Sequence, residues 1–352
     1  MRLPYNPLGV DLKDLVSKKS VKLDDLTGKT IAIDAYNALY QFLSIIRQPD
    51  GTPLMDRQGR ITSHLSGLFY RNVNLLEKGL KPAYSFDGEA PSLKEIEIKR
   101  RVKVKEEALI KYEEALTKGD MQTARSYAQA TAQLKDYMVE DAKKLLELLG
   151  IPWIQAPSEG EAQAAYMSAK GDVWAAASQD YDAILFGAPR LIRNVTITGR
   201  RKLPRKEVYI EVVPEIVELN QVLRELNITR EQLVDLGILI GTDFNPEGVK
   251  GVGPKTALKL IRQYGSLEKI PFELKGTDFP VNLDEIREIF LKPKTTEKYT
   301  LEWNQPNVEG VVQFLCGERD FSEERVRNAL EKATSGFKEA KSKATLENFF
   351  GF

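Results

Sequence analysis

Residues 29–43 read KTIAIDAYNALYQFL: a short apolar strand that ends at Asp34 and runs into a helix. Three other stretches repeat the pattern. KPAYSFDGE (81–89) ends a strand at Asp87, followed by Gly88; IPWIQAPSEGEAQ (151–163) runs into Glu159 and Glu161; DVWAAASQDYDAILFG (172–187) ends near Asp180 and Asp182. Strands of this kind separated by helical stretches predict an α/β fold with a mainly parallel, twisted sheet flanked by helices. Sites in such sheets form beyond the carboxyl ends of the strands, and here four strand ends carry acids.

Composition narrows the chemistry. The chain has 352 residues, 42% hydrophobic and 29% charged, enough to bury one large core or two joined ones. Lys plus Arg and Asp plus Glu number 51 each, so net charge favours no partner and local distribution must decide. No stretch has the length and apolarity of a membrane span, and no signal-peptide pattern opens the sequence. The single Cys316 excludes an intramolecular disulfide and fits a reducing compartment. With one histidine, His64, a zinc cluster or Ser-His-Asp machinery is poorly supplied, and His64 itself reads as a hydrogen-bonded structural residue. Metal chemistry here would rest on carboxylates, hence on hard cations such as magnesium or manganese.

Residues 92–149 form a long helical insertion between the second and third strands, with a break near Lys118–Gly119–Asp120. Its start, Lys94 to Lys105, is basic: a solvated helix laced with Glu–Lys pairs, or an arch above the sheet. Lys94 and Arg101 are two helical turns apart and face the same way. Residues 229–264 read as helix, glycine-rich turn, helix. The loop GVKGVGPKTAL (248–258) contains Gly251, Gly253, Lys255 and Thr256, and follows no strand, so a dinucleotide fingerprint is disfavoured. It is either a hairpin whose amides grip a nucleic-acid backbone or a plain connection between packed helices.

Asp34, Asp87, Glu159, Glu161, Asp180, Asp182 and Asp243 sit at strand ends or in tight loops. Each alone reads equally as a helix cap. Jointly they would repel unless cations were bound, which fits a two-metal phosphodiester site. In QAPSEGEAQAAY (155–166), Ser158 and Glu161 have capping-box spacing, which leaves Glu159 without a task. Tyr40, Arg47, Arg71, Lys94, Arg100 and Arg101 are candidates for phosphate contacts or base stacking, or are surface and half-buried residues. The polar tail ends in TLENFF (345–350), whose aromatics either anchor a partner protein or fold back on the body.

The stretches DGTPLMDRQGRITSHLSGLFYR, PAYSFDGEAP, QAPSEGEAQAAYM, SQDYDAILFG, LIGTDFNPEGVKGVGPKTA and CGERDFSEERV together resemble the archaeal flap endonucleases, which are structure-specific 5′ nucleases of the XPG-like family. The resemblance extends over nearly the whole chain and implies a PIN-like core. Residues 1–105 would be an N-terminal nuclease region and 92–149 the helical arch, through which a 5′ single strand passes. Residues 123–265 would be an internal nuclease region including the helix–hairpin–helix at 229–264. A C-terminal helical region at 265–332 and a flexible tail at 333–352 would follow. Asp34, Asp87, Glu159 and Glu161 would hold one Mg2+ more directly, and Asp180, Asp182 and Asp243 would surround a second, with Mn2+ able to substitute. Lys94 and Arg101 would contact the scissile phosphate, and Tyr40 would stack on the adjoining nucleotide. The 248–258 hairpin would hold the downstream duplex, helped by a monovalent cation such as K+.

The implied reaction is hydrolysis one nucleotide into the duplex at the base of a 5′ flap, with 5′→3′ exonuclease activity, in Okazaki-fragment maturation and base excision repair. The implied setting is an archaeal cytoplasm, at the replicating nucleoid, with a protein that is monomeric alone. Lys343, Leu346, Phe349 and Phe350 match the family's motif at 343–350 for docking on the PCNA sliding clamp, with Lys343 where glutamine is usual. Family members begin Met-Gly-Val; here GVDLKDLV starts at Gly9, so the expected true start is Leu8. Nucleases of the same superfamily acting on bubbles or four-way junctions, and a non-catalytic DNA-binding scaffold, are the rival readings.

Overall fold

The chain is described by a computed structural model over residues 9–202, 209–271 and 282–350, without the side chains of 200–202, 209–210 and 338–350. The expected start at Leu8 lies outside these residues, as do the side chains of Lys343, Leu346, Phe349 and Phe350.

A seven-stranded sheet runs in the order β1 (Lys19–Ser20), β9 (Glu215–Glu218), β6 (Arg190–Arg193), β5 (Ala175–Ala177), β2 (Thr30–Asp34), β3 (Lys81–Phe86), β4 (Trp153–Gln155). From β6 to β4 neighbouring strands pair in parallel; β9 and β1 close one edge antiparallel. The predicted mainly parallel sheet is therefore present. The composition of these strands follows from burial on both faces. Along β2, Ile31 and Ile33 enter one apolar cluster while Ala32 enters the other; Leu191 and Ile192 of β6 divide the same way. Fully burying such an aliphatic side chain is worth about 1.5–3 kcal/mol.

One face of the sheet is covered by α1 (Ala35–Ile45), α2 (Ser63–Glu77) and α5 (Asp136–Leu148), the other by α6 (Gly160–Lys170), α9 (Arg230–Ile240), α10 (Pro254–Tyr264) and α11 (Leu283–Leu291). Thr229 and Gln232 form a reciprocal capping box that starts α9. Between β3 and α5 the insertion folds as α3 (Glu95–Thr117) and α4 (Met121–Ala128), turning at Gly119 with φ +69° as the expected break requires.

Four features depart from expectation. Residues 190–218 supply β6, β9 and a hairpin of β7 (Gly199–Lys202) and β8 (Tyr209–Val212), none of which was anticipated. Their four-residue strands carry charges that break any apolar run. The expected Ser158–Glu161 capping box is absent: Ser158 Oγ donates to the Glu89 carbonyl at 3.1 Å, and Glu159 occupies the N-cap of α6. Beyond α12 (Val308–Val312), the backbone from 333 continues α13 (Glu323–Phe350) where a flexible tail was expected. Ala, Lys, Glu and Leu, all good helix formers, make up half of that stretch. Finally, residues 292–307 have no regular structure yet are pegged in place. Gln163 of α6 exchanges two hydrogen bonds with the Thr296 backbone (3.0 and 2.8 Å), Trp303 Nε1 donates to the Pro82 carbonyl at 2.6 Å, and Asn304 N donates to Gly150 O at 2.9 Å.

Candidate active site

Four of the seven expected acids accept a backbone N–H, and Asp180 accepts from a side-chain amide. Asp34 ends β2 and caps α1, its Oδ1 accepting from Asn37 N at 3.1 Å. Asp87 follows β3 and accepts from Gly160 N, the first residue of α6, at 2.7 Å. Only glycine allows that approach, since a Cβ at 160 would lie 2.7 Å from the Ser85 carbonyl and 2.8 Å from Asp87 Oδ1. Glu161 accepts from Ala183 N at 2.9 Å, Asp180 from Asn37 Nδ2 at 2.6 Å, and Asp182 from Val10 N at 2.8 Å. Capping and a shared site are thus compatible, because strands ending together put the helix starts together.

Electrostatics group the acids. Burial and then mutual repulsion push Asp34 up to about 6, Asp87 to about 8 and Asp182 to about 7. Burial, and after it Asp182, lifts both Glu161 and Asp180 well above the ordinary carboxylate range. Beyond burial, Glu161 feels Asp182 first, then Asp180 and Asp34. Side-chain direction explains this: Glu161 reaches towards α7 (Asp182–Leu185), whose Ala183 amide it accepts.

Lys94 and Arg101 do converge, on Asp243. Arg101 Nη2 lies 2.8 Å from each Asp243 oxygen, and Lys94 Nζ lies 3.3 Å from Asp243 and 2.6 Å from Glu159. Burial disfavours the Asp243 charge, but the Lys94 and Arg101 charges outweigh it and hold its pKa below the usual range. Glu97, a residue not singled out by sequence, braces this foot of α3. It is 3% exposed and accepts from Arg101 Nε at 2.8 Å and from Arg100 Nε at 2.6 Å. Its acidic side chain is one of many on a charged helix, so no local pattern marks it. Gly9 is also close, a Cβ there falling 2.7 Å from Asp182 Oδ1. A cleft of about 130 Å³ opens between Gly9, Glu97, Arg100, Gly241 and Asp243.

The remaining candidates are less uniform. Tyr40 is half-buried, with Lys105 Nζ 4.9 Å from its ring centre. Arg47 donates to the Leu43 and Gly51 carbonyls, each at 3.0 Å, and Arg71 donates to the Thr198 hydroxyl and carbonyl. Both are internal braces, with part of their donor set spent on protein. The hairpin is free: Gly251, Gly253, Lys255 and Thr256 are exposed, and nothing lies within 4 Å of a Cβ at either glycine. His64 is fully buried, but no group among the described residues hydrogen-bonds its ring nitrogens, so the expected hydrogen-bonded role is corrected. Burial pushes it down to about 3 and keeps it neutral.

Among the described residues no three His, Cys, Asp or Glu side chains close into a compact metal cage. Glu159 and Asp243 are drawn to Lys94 and Arg101 instead. The donor chemistry nevertheless fits hard divalent cations: every donor is a carboxylate, and five have pKa values raised by burial and by one another's charge. No described helix is long and apolar enough to cross a membrane.

Residues 10–108 match the XPG N-terminal domain and residues 150–243 the XPG I-region, spans that contain all seven acids. The chain is 58% identical over 336 residues to flap endonuclease 1 of Staphylothermus marinus, covering 94% of this chain and 96% of that one. It is 56% identical over 343 residues to flap endonuclease 1 of Pyrococcus abyssi, covering 97% and 98%. Flap endonuclease-1 from Methanococcus jannaschii superposes with a TM-score of 0.74 at 45% identity, over 94% of this chain and 99% of that one. The catalytic core of Rad2 in complex with DNA substrate superposes with a TM-score of 0.70 at 23% identity, over 92% and 99%, a likeness of fold alone.

Proposed function

Because the chain belongs to the flap endonuclease family, we propose that it is a metal-dependent nuclease that cuts branched DNA at the base of 5′ flaps. It hydrolyses the phosphodiester bond to leave a 5′-phosphate and a 3′-hydroxyl, and also acts as a 5′→3′ exonuclease. Okazaki-fragment maturation and base excision repair are the processes such cutting serves. The observation that carries this reading is the convergence of acids from four strand ends and Asp243 beneath the Lys94–Arg101 foot of the arch.

Asp34, Asp87, Glu159, Glu161, Asp180, Asp182 and Asp243 would hold two Mg2+ ions, with Mn2+ able to substitute. Bound there, the ions would supply Lewis-acid stabilisation of phosphate charge and a nucleophile at neutral pH. Lys94 and Arg101 direct N–H groups at the scissile phosphate and steady the charge that develops on its oxygens. Tyr40 offers an aromatic face to the neighbouring base. Arg100 adds a basic group beside Asp243, while Arg47 and Arg71 shape the surface that DNA meets. Gly251, Gly253, Lys255 and Thr256 hold duplex phosphates through exposed amides at the start of α10, with a monovalent cation such as K+ completing the grip.

Residues 92–149 form the arch, and the domain limits follow the sequence divisions given above. Lys343, Leu346, Phe349 and Phe350 dock the protein, a monomer alone, on the PCNA clamp in the cytoplasm at the replicating nucleoid.

The test is cleavage of a labelled double-flap substrate with magnesium beside nicked, bubble and four-way-junction DNA. The double flap is expected to be cut fastest. Equal or faster cutting of the four-way junction overturns the assignment.

A further inference from the structure

Asn37 touches two of the acids at once. Its backbone N–H donates to Asp34 Oδ1 at 3.1 Å, and its side-chain Nδ2 donates to Asp180 Oδ2 at 2.6 Å. Behind it the hydrogen bonds run in one direction. Thr196 Oγ1 donates to Gln41 Oε1 at 2.7 Å, and Gln41 Nε2 donates to Asn37 Oδ1. A primary amide has one accepting end and one donating end, so fixing either fixes the other. With Thr196 donating into Gln41, Gln41 presents its NH2 to Asn37, and Asn37 has only its own NH2 left for Asp180. Asn37 is 8% exposed and Thr196 6%. Both line a narrow, mixed crevice with Asp34, Ser178, Gln179, Ile33, Ala177 and Val195, and burial there raises the cost of losing a hydrogen bond.

We propose that Asn37 is a positioning residue for Asp180, with Gln41 and Thr196 holding its amide in that direction. The amide occupies Oδ2 of Asp180 and leaves Oδ1 for a divalent cation. Asparagine does this at any working pH, because its NH2 neither gains nor loses a proton there. The same residue ties the end of β2 to the loop after β5, so Asp34 and Asp180 keep a fixed separation. This inference rests on the metal-binding reading of Asp180.

The test titrates Mn2+ by the paramagnetic resonance of the free ion, without DNA, and measures double-flap cleavage alongside. Asn37→Leu keeps the side-chain size and the backbone N–H to Asp34 but removes the side-chain bonds to Asp180 and from Gln41; Thr196→Val removes only the far donor; Thr196→Ser restores it; Asp180→Ala is the control. Asn37→Leu is expected to weaken Mn2+ binding about 10- to 100-fold, as loss of a partner that orients a metal ligand does. Its kcat falls while KM for DNA stays within roughly twofold. Thr196→Val shifts Mn2+ binding the same way by about threefold or more, and Thr196→Ser returns it. If Asp180→Ala weakens Mn2+ binding while Asn37→Leu and Thr196→Val leave it unchanged, the inference is overturned and the metal reading stands. If Asp180→Ala leaves Mn2+ binding unchanged, both fall. Should Asn37→Leu fail to fold, the Thr196 pair decides.

Discussion

The strand ends and the α3–α4 insertion, proposed above as the arch, use similar residues under opposite conditions. At the strand ends acids crowd together out of water, most of them tied to a backbone N–H: Asn37 for Asp34, Gly160 for Asp87, Ala183 for Glu161, Val10 for Asp182. Along α3, Lys99 pairs with Glu95 one turn away in full solvent, and Ile98, Val102 and Leu109 lie exposed. The two regions meet at the foot of α3, where Lys94, Glu97 and Arg101 leave solvent to join Asp243 and Glu159. Position at the sheet edge is therefore set by backbone. Position of the arch is set by a few charged side chains at its base, and a charge-paired contact is easier to exchange for a phosphate than a backbone hydrogen bond is.

The largest break in this contrast comes from the sheet side. Asp180→Ala is expected to lower cleavage by about 10³-fold or more while DNA affinity, read by fluorescence anisotropy, is largely kept. Full retained activity removes Asp180 from the metal set. On the arch side, Arg101→Ala is expected to lower kcat about 10²- to 10³-fold. Arg47→Ala, by contrast, loses two bonds to carbonyls and so lowers the melting temperature while kcat stays near wild type. Equal kcat losses in both would show that the partner, carbonyl for Arg47 and carboxylate for Arg101, does not separate the two arginines.

A smaller effect concerns His64, whose pKa is depressed by burial and then by the Arg319 charge. Its folded pKa near 3 lies below the ordinary value of 6.5, so the unfolded chain binds the extra proton. This contribution to stability is fully present above pH 6.5 and is lost as pH falls towards 3. Chemical denaturation at pH 6.5 and 5 should show a loss of about 2 kcal/mol that His64→Gln lacks; the difference between the two proteins isolates it from the raised acids, whose slopes have the opposite sign. The smallest effect is at the hairpin. Lys255→Ala should weaken DNA binding regardless of sequence and reduce the slope of log affinity against log salt by about 1. An unchanged slope would place Lys255 away from phosphate.

Sequence made the sheet centre legible because each strand there is a brief apolar run that stops at an acid, the pattern seen at Asp34, Asp87 and Asp180. The β6–β9 edge was illegible for the opposite reason: RLIR and EIVE each hold only two apolar residues between flanking charges, too short for a period to show. Distance along the chain hid the rest. Asn37 meets Asp180 across 143 positions, and Val10 meets Asp182 across 172, so neither pairing leaves a local trace. The capping-box spacing at Ser158 misled because Glu161 found a better donor in Ala183, on the next helix.

The segment 292–307 would look on sequence alone like a loop free to vary in length. It is not. One stretch is gripped at Thr296, Trp303 and Asn304, and the first of those grips holds Gln163, one turn or less from Glu159 and Glu161 on the same helix. An added or deleted residue between 296 and 303 has no slack to absorb it and would be passed to α6 as a shift in its seating. The exposed turn at Gly119, where an added Cβ would meet nothing within 4 Å, has no such grip. Length variation among relatives should therefore accumulate at the tip of the arch and be purged from this unadorned stretch, so that the least regular part of the backbone evolves as though it were core.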